Sequence, residues 1–227
     1  MGKWSADRLA ASSGFVFLAL YIVAMFVVPK PPSLSSPNAK VAAYYVEHHR
    51  GGLVQTVLLG LSAIAFLWFI GSLAALIRDA GEMRLASVAF AGGLVTVGLG
   101  FLGTTIDAAL FERVALESPS MAGGLHVISV TAFTVIGFAT ATIAFATALA
   151  VWRSKVLPTW YATITAIGGV VFLFGGGALT FSGFYSPQGT YWWIATVVFL
   201  VWILVTTAEL VQHAAAGQEA PRAAMAQ

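Results

Sequence analysis

Long uncharged apolar stretches, separated by charged residues, constrain this chain more than any other feature. A helix needs ~20 apolar residues to cross a hydrocarbon core of ~30 Å. Stretches of that length lie between Arg8 and Lys30, between Arg50 and Arg78, and between Arg84 and Asp107. Only 9% of the 227 residues are charged and 59% are hydrophobic, whereas soluble domains carry about 25% charged residues. The sequence therefore predicts an integral membrane protein.

Two longer charge-poor intervals complete the predicted topology. Between Glu117 and Arg153, "SPSMAGG" (118–124) reads as a loop, so the fourth span starts near Leu125. The second interval is broken by "SGFYSPQGT" (182–190), because Gly and Pro both interrupt helices. We predict an all-α polytopic membrane protein with six transmembrane helices, in one domain over residues 1–212. Residues 213–227 are expected to form a disordered cytoplasmic tail.

The distribution of Lys and Arg predicts the orientation. With the N-terminus inside, seven basic residues lie on the inner side and four on the outer side. Short cytoplasmic loops carry the excess of basic residues in membrane proteins. We therefore expect a multi-pass inner-membrane protein with both termini in the cytoplasm.

The first outer loop contains a predicted amphipathic helix. Ser36 is a candidate N-cap with Pro37 at the first helical position, and residues 38–49 follow as a short helix. Val41, Tyr44 and Tyr45 share one stripe of it. We expect this helix to lie on the membrane surface or to cover the mouth of the bundle.

Asp107 is the most informative polar residue. It lies inside an apolar stretch, where ionisable residues are costly and usually face the bundle interior. We expect it in the last turns of its helix, where the negative end of the macrodipole disfavours a carboxylate.

Three of the four histidines fall on the same predicted side. The candidate ligand-binding residues are Asp107, His126, His48, Glu47, Arg50 and Glu112. The alternative is an interfacial Asp107 that is hydrated or paired with Arg50 or Arg113.

Small residues predict how the helices pack. Thr140, Ala144 and Ala148 form one row in the fourth span, and Thr142, Ala146 and Ala150 form a second row. Such rows allow membrane helices to approach closely. Trp68 and Trp202 lie deep in their spans, and we expect both to be packing residues.

The sequence leaves metal and cofactor binding open. The chain has no cysteine, which excludes thiolate nucleophiles and iron–sulfur clusters. His48 or His49 with His126 and Asp107 or Glu112 offers ligand types that suit zinc, manganese or iron, but without a local ligand motif. No P-loop or dinucleotide fingerprint is present. A formal net charge of +2 does not favour nucleic-acid binding.

Three segments carry a resemblance to a known family. They are "VAAYYVEHHRGGLVQTVLLGLSAIAFLWFIGSLAALIR" (41–78), "RLASVAFAGG" (84–93) and "LPTWYATITAIGG" (157–169). The chain resembles, over most of residues 10–212, small six-helix bacterial membrane proteins grouped as a domain of unknown function. The resemblance implies a six-helix fold and a bacterial inner membrane. It implies no substrate and no catalytic residue.

Three functions fit these observations. The favoured one is binding, or assisting the transport of, a lipid-like or other apolar small molecule through an outward-facing pocket. The second is an intramembrane enzyme that uses Asp107 and His126 as acid and base, with or without a metal. The third is a structural or regulatory subunit of a membrane complex. The expected partners are membrane lipids, with a homo-oligomer or a membrane complex as open alternatives.

Overall fold

The computed structural model describes residues 10–180 and 182–225, with side chains through residue 215. These residues form helices and no strand. The helical elements are α1 (Ser13–Val27), α2 (Asn38–Glu47), α3 (His49–Asp79), α4 (Met83–Ala109), the π-helical turn π1 (Leu110–Val114), α5 (Ala115–Glu117), α6 (Pro119–Ser154), α7 (Thr159–Gly176) and α8 (Thr190–Met225). The all-α polytopic architecture is confirmed.

Among the described residues, five helical segments are long and apolar enough to cross a membrane. One of them, Met83–Glu117, joins α4, π1 and α5 into a single segment of 35 residues. The others are α3, α6, α7 and the Thr190–Ala215 part of α8. The sixth apolar helix, α1, is shorter at 15 residues. The amphipathic helix predicted between the first two spans is α2.

The six apolar helices form a closed ring. Following the ring, α1 packs on α3, α3 on α4, α4 on α6, α6 on α7, α7 on α8, and α8 returns to α1. Large side chains such as Phe69, Ile70 and Ile203 fill the interior without solvent exposure. Trp202 is buried there, as predicted, whereas Trp68 is 63% exposed. The prediction for Trp68 was wrong because an apolar residue deep in a span can equally face lipid.

Small residues on α6 allow close contacts with neighbouring helices. Ala144 and Ala148 are buried, as are Ala146 and Ala150 of the second row. On the same helix, Gly137 lies directly against the backbone of α7 near Phe172 and Gly176. Close approach of small residues supplies much of the association energy where lipid competes for apolar contacts.

Three predicted helix boundaries are wrong. The segment 118–124 is not a loop, because Ser118 is the N-cap and Pro119 begins α6, with the Ser118 hydroxyl accepting from the Met121 N–H. At α2 the helix starts at Asn38, with Pro37 as the N-cap residue. The Ser36 hydroxyl contacts that of Ser33 instead of capping the helix, and α2 ends at Glu47 rather than at residue 49.

The helix that carries Asp107 does not end near it. The chain continues from α4 through π1 and α5 to Glu117. Asp107 therefore lies more than two turns before the end of the helical segment. The prediction that the helix macrodipole disfavours the Asp107 carboxylate is therefore wrong, because that effect is confined to the last turn of a helix.

The predicted boundary at residue 212 does not coincide with a helix end. The backbone of α8 continues to Met225, and residues 226–227 of the predicted tail lie outside the described residues. The division into a domain over 1–212 and a tail over 213–227 stays a prediction.

The membrane orientation can be tested with single cysteines. Ser35 and Ser182 are exposed at the end of the bundle that carries α2, and Met83 is exposed at the opposite end. We expect S35C and S182C in intact cells to react with a membrane-impermeant maleimide. M83C should react only after the membrane is opened, because basic residues flank that end. Labelling of M83C from outside would invert the proposed topology.

Candidate functional site

A cavity of about 620 Å3 opens at the end of the bundle that carries α2. We call it the outer cavity. Its polar side chains come from distant parts of the sequence. Its lining includes Lys30, Tyr44, Tyr45, Gln55, Asp107, His126, Ser129 and Gln188. Most of the remaining lining is apolar or aromatic.

A second cavity, of about 190 Å3, lies deeper in the ring. We call it the inner cavity. All six apolar helices contribute to it. Tyr21, Leu59, Phe133 and Trp192 line both cavities. The two spaces are therefore neighbours.

Packing of α2 onto the bundle places Tyr45 in the site. Val41, Tyr44 and Tyr45 are buried and join a cluster with Leu110 and Phe111 of π1. The Tyr45 and Phe111 rings meet edge to face, with centroids 4.7 Å apart. The stripe predicted from the sequence faces the bundle, and α2 covers the bundle mouth.

Asp107, Tyr45 and His126 form a hydrogen-bonded chain across three helices. The Tyr45 Oη atom lies 3.3 Å from Asp107 Oδ1 and 2.8 Å from His126 Nδ1. The other ring nitrogen of His126, Nε2, lies 3.0 Å from the carbonyl oxygen of Pro32. His126 is only 1% exposed, and Asp107 is half-buried.

The Pro32 carbonyl determines the tautomer of His126. A carbonyl oxygen only accepts hydrogen bonds, so Nε2 must carry a proton. In a neutral imidazole Nδ1 is then an acceptor, and the Tyr45 hydroxyl donates its only proton to it. In this arrangement the Tyr45 hydroxyl has no proton left to donate to Asp107. A hydrogen bond between these two side chains therefore requires a protonated Asp107, which donates to Tyr45 Oη.

A second proton arrangement uses the same atoms. With Asp107 ionised and His126 doubly protonated, Nδ1–H donates to Tyr45 Oη and the Tyr45 hydroxyl donates to Asp107. The two arrangements contain the same number of protons. They interconvert when the Asp107 proton moves to Tyr45 Oη while the Tyr45 proton moves to His126 Nδ1. The geometry therefore allows a proton to pass between Asp107 and His126 through one hydroxyl.

Tyr45 itself stays a neutral phenol at physiological pH. Burial raises its pKa above the ordinary value, and the neighbouring Asp107 carboxyl raises it further. Burial likewise raises the pKa of Tyr44. Tyr45 can thus relay a proton but does not carry a stable negative charge.

The proline-rich segment 29–32 holds the rim of the outer cavity. The Tyr44 hydroxyl donates to the Pro29 carbonyl at 2.7 Å, and Lys30 Nζ donates to the Gln188 carbonyl at 2.9 Å. Gln188 Nε2 also donates to the Pro32 carbonyl at 3.0 Å. That oxygen therefore accepts from both Gln188 and His126, which links the segment to α6 and to the loop before α8.

The structure brings together only two of the six predicted site residues. Asp107 and His126 meet in the outer cavity, bridged by Tyr45. His48 does not line it, because its Nδ1 bonds the Tyr44 carbonyl at 2.8 Å. Glu47, Arg50 and Glu112 are exposed and lie outside the cavity.

Among the described residues, no group of three or more His, Asp or Glu side chains is arranged to hold a metal ion. The combination of His48 or His49 with His126 and Asp107 or Glu112 is therefore not assembled in this structure. His49 Nδ1 instead contacts the Phe111 carbonyl oxygen at 2.6 Å.

Sequence reasoning missed Tyr45, Lys30, Gln55 and Gln188 as site residues. Tyr45 could have been found, because an amphipathic helix that covers a bundle mouth directs its aromatic stripe toward the site below. No sequence pattern indicated Gln188, because the loop before α8 reaches the cavity only when α8 packs on α1 and closes the ring of helices.

Comparison with known proteins gave no relative. No family model matches the chain, and no curated protein or solved structure matches it significantly. The resemblance to small six-helix bacterial membrane proteins stays a prediction.

Proposed function

We propose that this membrane protein binds a lipid-like or other apolar small molecule in the outer and inner cavities. The observation that carries the proposal is the pair of neighbouring, mostly apolar cavities, in which Lys30, Asp107 and His126 line the outer cavity and not the inner one. An elongated molecule with one polar end fits this order. Its polar end lies near Asp107 and Tyr45, and its apolar part extends toward Phe66 and Phe172.

The size and lining support a ligand site. Small-molecule pockets are typically ~300–1,000 Å3, mostly apolar, with a few convergent polar groups. The outer cavity has this volume and this composition. With both termini in the cytoplasm, its mouth faces the outside of the cell, which suits capture or release of a molecule on that side. Involvement in transport is part of the proposal, with this cavity as the site of loading.

Blocking the inner cavity tests the proposal. Gly100 lines that cavity, and the nearest atom to an added Cβ is Ile136 Cδ1 at 4.0 Å. A leucine there fits the backbone and projects into the space. We expect G100L, in lipid nanodiscs, to bind radiolabelled decanol at least ~10-fold more weakly than the unmodified protein, a loss of ~1.4 kcal/mol. Empty nanodiscs supply the partition background.

The matched control is G98L on the same helix. Gly98 is exposed, outside both cavities, and has no atom within 4 Å of an added Cβ. G98L should bind decanol as the unmodified protein does. Binding that is absent in the unmodified protein, or unchanged in G100L, would contradict the proposed site.

An intramembrane enzyme is the second candidate. The chain from Asp107 through Tyr45 to His126 favours it, because acid–base catalysis needs proton-transferring groups within hydrogen-bond reach. Mass spectrometry of bound probes separates the two functions. Recovery of unchanged probe supports binding, and conversion that is lost in Y45F supports catalysis.

A further inference from the structure

We propose that the polar end of the ligand is an organic cation and that its ammonium group pairs with Asp107. The proposal rests on the proposed function, because it names the chemical class of molecule for the same site. It is carried by a carboxyl group that lines the outer cavity together with several aromatic rings and has no cationic partner among the described residues.

Asp107 has no cationic partner in the described part of the chain. The two ion pairs found there are Arg113–Glu117 and Arg153–Glu82, and both involve other residues. Its hydrogen-bond partners are the neutral hydroxyls of Tyr45 and Ser129. A carboxylate at this depth normally pairs with a positive charge. A cationic ligand would supply the missing charge.

Aromatic rings line the same cavity as the carboxyl group. Tyr21, Tyr44, Tyr45, Phe111, Phe133, Trp192 and Trp193 all line the outer cavity. The faces of such rings attract cations, most strongly when the cation is desolvated. A carboxylate combined with aromatic walls is therefore more favourable for an alkylammonium group than for a neutral or anionic group.

Lys30 would favour an anionic ligand, but its position at the rim limits this effect. It is exposed at the rim, and its Nζ donates to the Gln188 carbonyl. Asp107 lies deeper and is half-buried. The charge nearest the apolar interior is therefore negative, and the rim lysine disfavours a second cation at the mouth.

A bound ammonium group also changes the proton arrangement. It stabilises the ionised form of Asp107, so the cation takes the place of the proton between Asp107 and Tyr45. That proton moves through Tyr45 to His126 or leaves to solution. No covalent bond to the ligand forms or breaks.

Three probes with the same ten-carbon chain separate charge from apolar burial. They are decyltrimethylammonium, decanol and decanoate, each titrated against the protein in nanodiscs with empty nanodiscs as the background. We expect the cation to bind at least ~10-fold more tightly than decanol, and decanoate to bind most weakly. D107N should remove the preference for the cation over decanol.

The control variant is E112Q, which neutralises an exposed carboxylate outside the cavity. It should retain the preference for the cation. Equal binding of all three probes, tighter binding of decanoate, or a cation preference that survives in D107N would each overturn the cation proposal while leaving the apolar site intact. If decanol and decyltrimethylammonium both fail to bind, the proposed function itself fails.

Discussion

G137A is expected to destabilise the bundle strongly. An ideal Cβ at Gly137 would lie 2.6 Å from the Phe172 carbonyl oxygen and 2.7 Å from Gly176 Cα. These are backbone atoms of α7, so no side chain can move aside to make room. We expect a loss of at least ~2 kcal/mol in the free energy of unfolding, at the upper part of the range for overpacking. The apparent melting temperature in detergent, followed by circular dichroism, measures it.

G124A on the same helix is the matched control. No atom lies within 4 Å of an added Cβ at Gly124, and alanine is favoured over glycine in a helix by up to ~1 kcal/mol. G124A should therefore melt at the same temperature as the unmodified protein or slightly higher. A melting temperature of G137A that equals that of G124A would contradict the close contact between α6 and α7.

Y45F is expected to have the second large effect on stability. Phenylalanine keeps the edge-to-face packing on Phe111 but removes the only described partner of His126 Nδ1. A buried polar group without a partner costs ~1–3 kcal/mol, and His126 is almost completely buried. We expect Y45F to lower the free energy of unfolding by this amount, measured by the same melting experiment.

Y44F removes the neighbouring hydroxyl and provides the comparison. Tyr44 donates to the carbonyl of Pro29, an exposed residue, and water can replace that donor. The loss should be ~1 kcal/mol or less, the net value of an ordinary hydrogen bond. If Y44F and Y45F are equally destabilised, the buried chain from Asp107 to His126 contributes nothing specific.

The fold class was predictable because the length of a membrane span is set by the bilayer. Charges marked the ends of most spans, and "SGFYSPQGT" (182–190) correctly marked the break between α7 and α8. The start of α6 was misread, although Ser118 and Pro119 form the same cap pattern that predicted α2. The Gly and Ser residues after the cap were interpreted as a loop, whereas they form the first turns of α6, where Gly123 packs closely against Asn38 of α2.

The candidate site was predictable only in part. Asp107 and His126 were identified because ionisable residues are rare in apolar spans, and the structure brings them together. Glu47, Arg50 and Glu112 were included because they were predicted on the same outer side, yet they are exposed and lie outside the cavity. The presence of a charged residue cannot show whether its side chain faces the cavity or solvent, because that direction depends on the rotation of the helix and on the π-helical turn.

That turn makes the length of one short segment as important as its composition. A π-helical turn contains one residue more than an α-helical turn, and each residue of a helix advances by ~100°. Deleting one residue within Leu110–Val114 would remove the extra residue and allow a regular α-helix, with Ala115–Glu117 facing as they do now relative to Asp107. The contact of Ala115 with α2 would then be kept. Inserting one more residue into this segment would instead rotate Ala115 by about 100° and move it away from α2. The segment therefore tolerates the loss of one residue but not the gain of one.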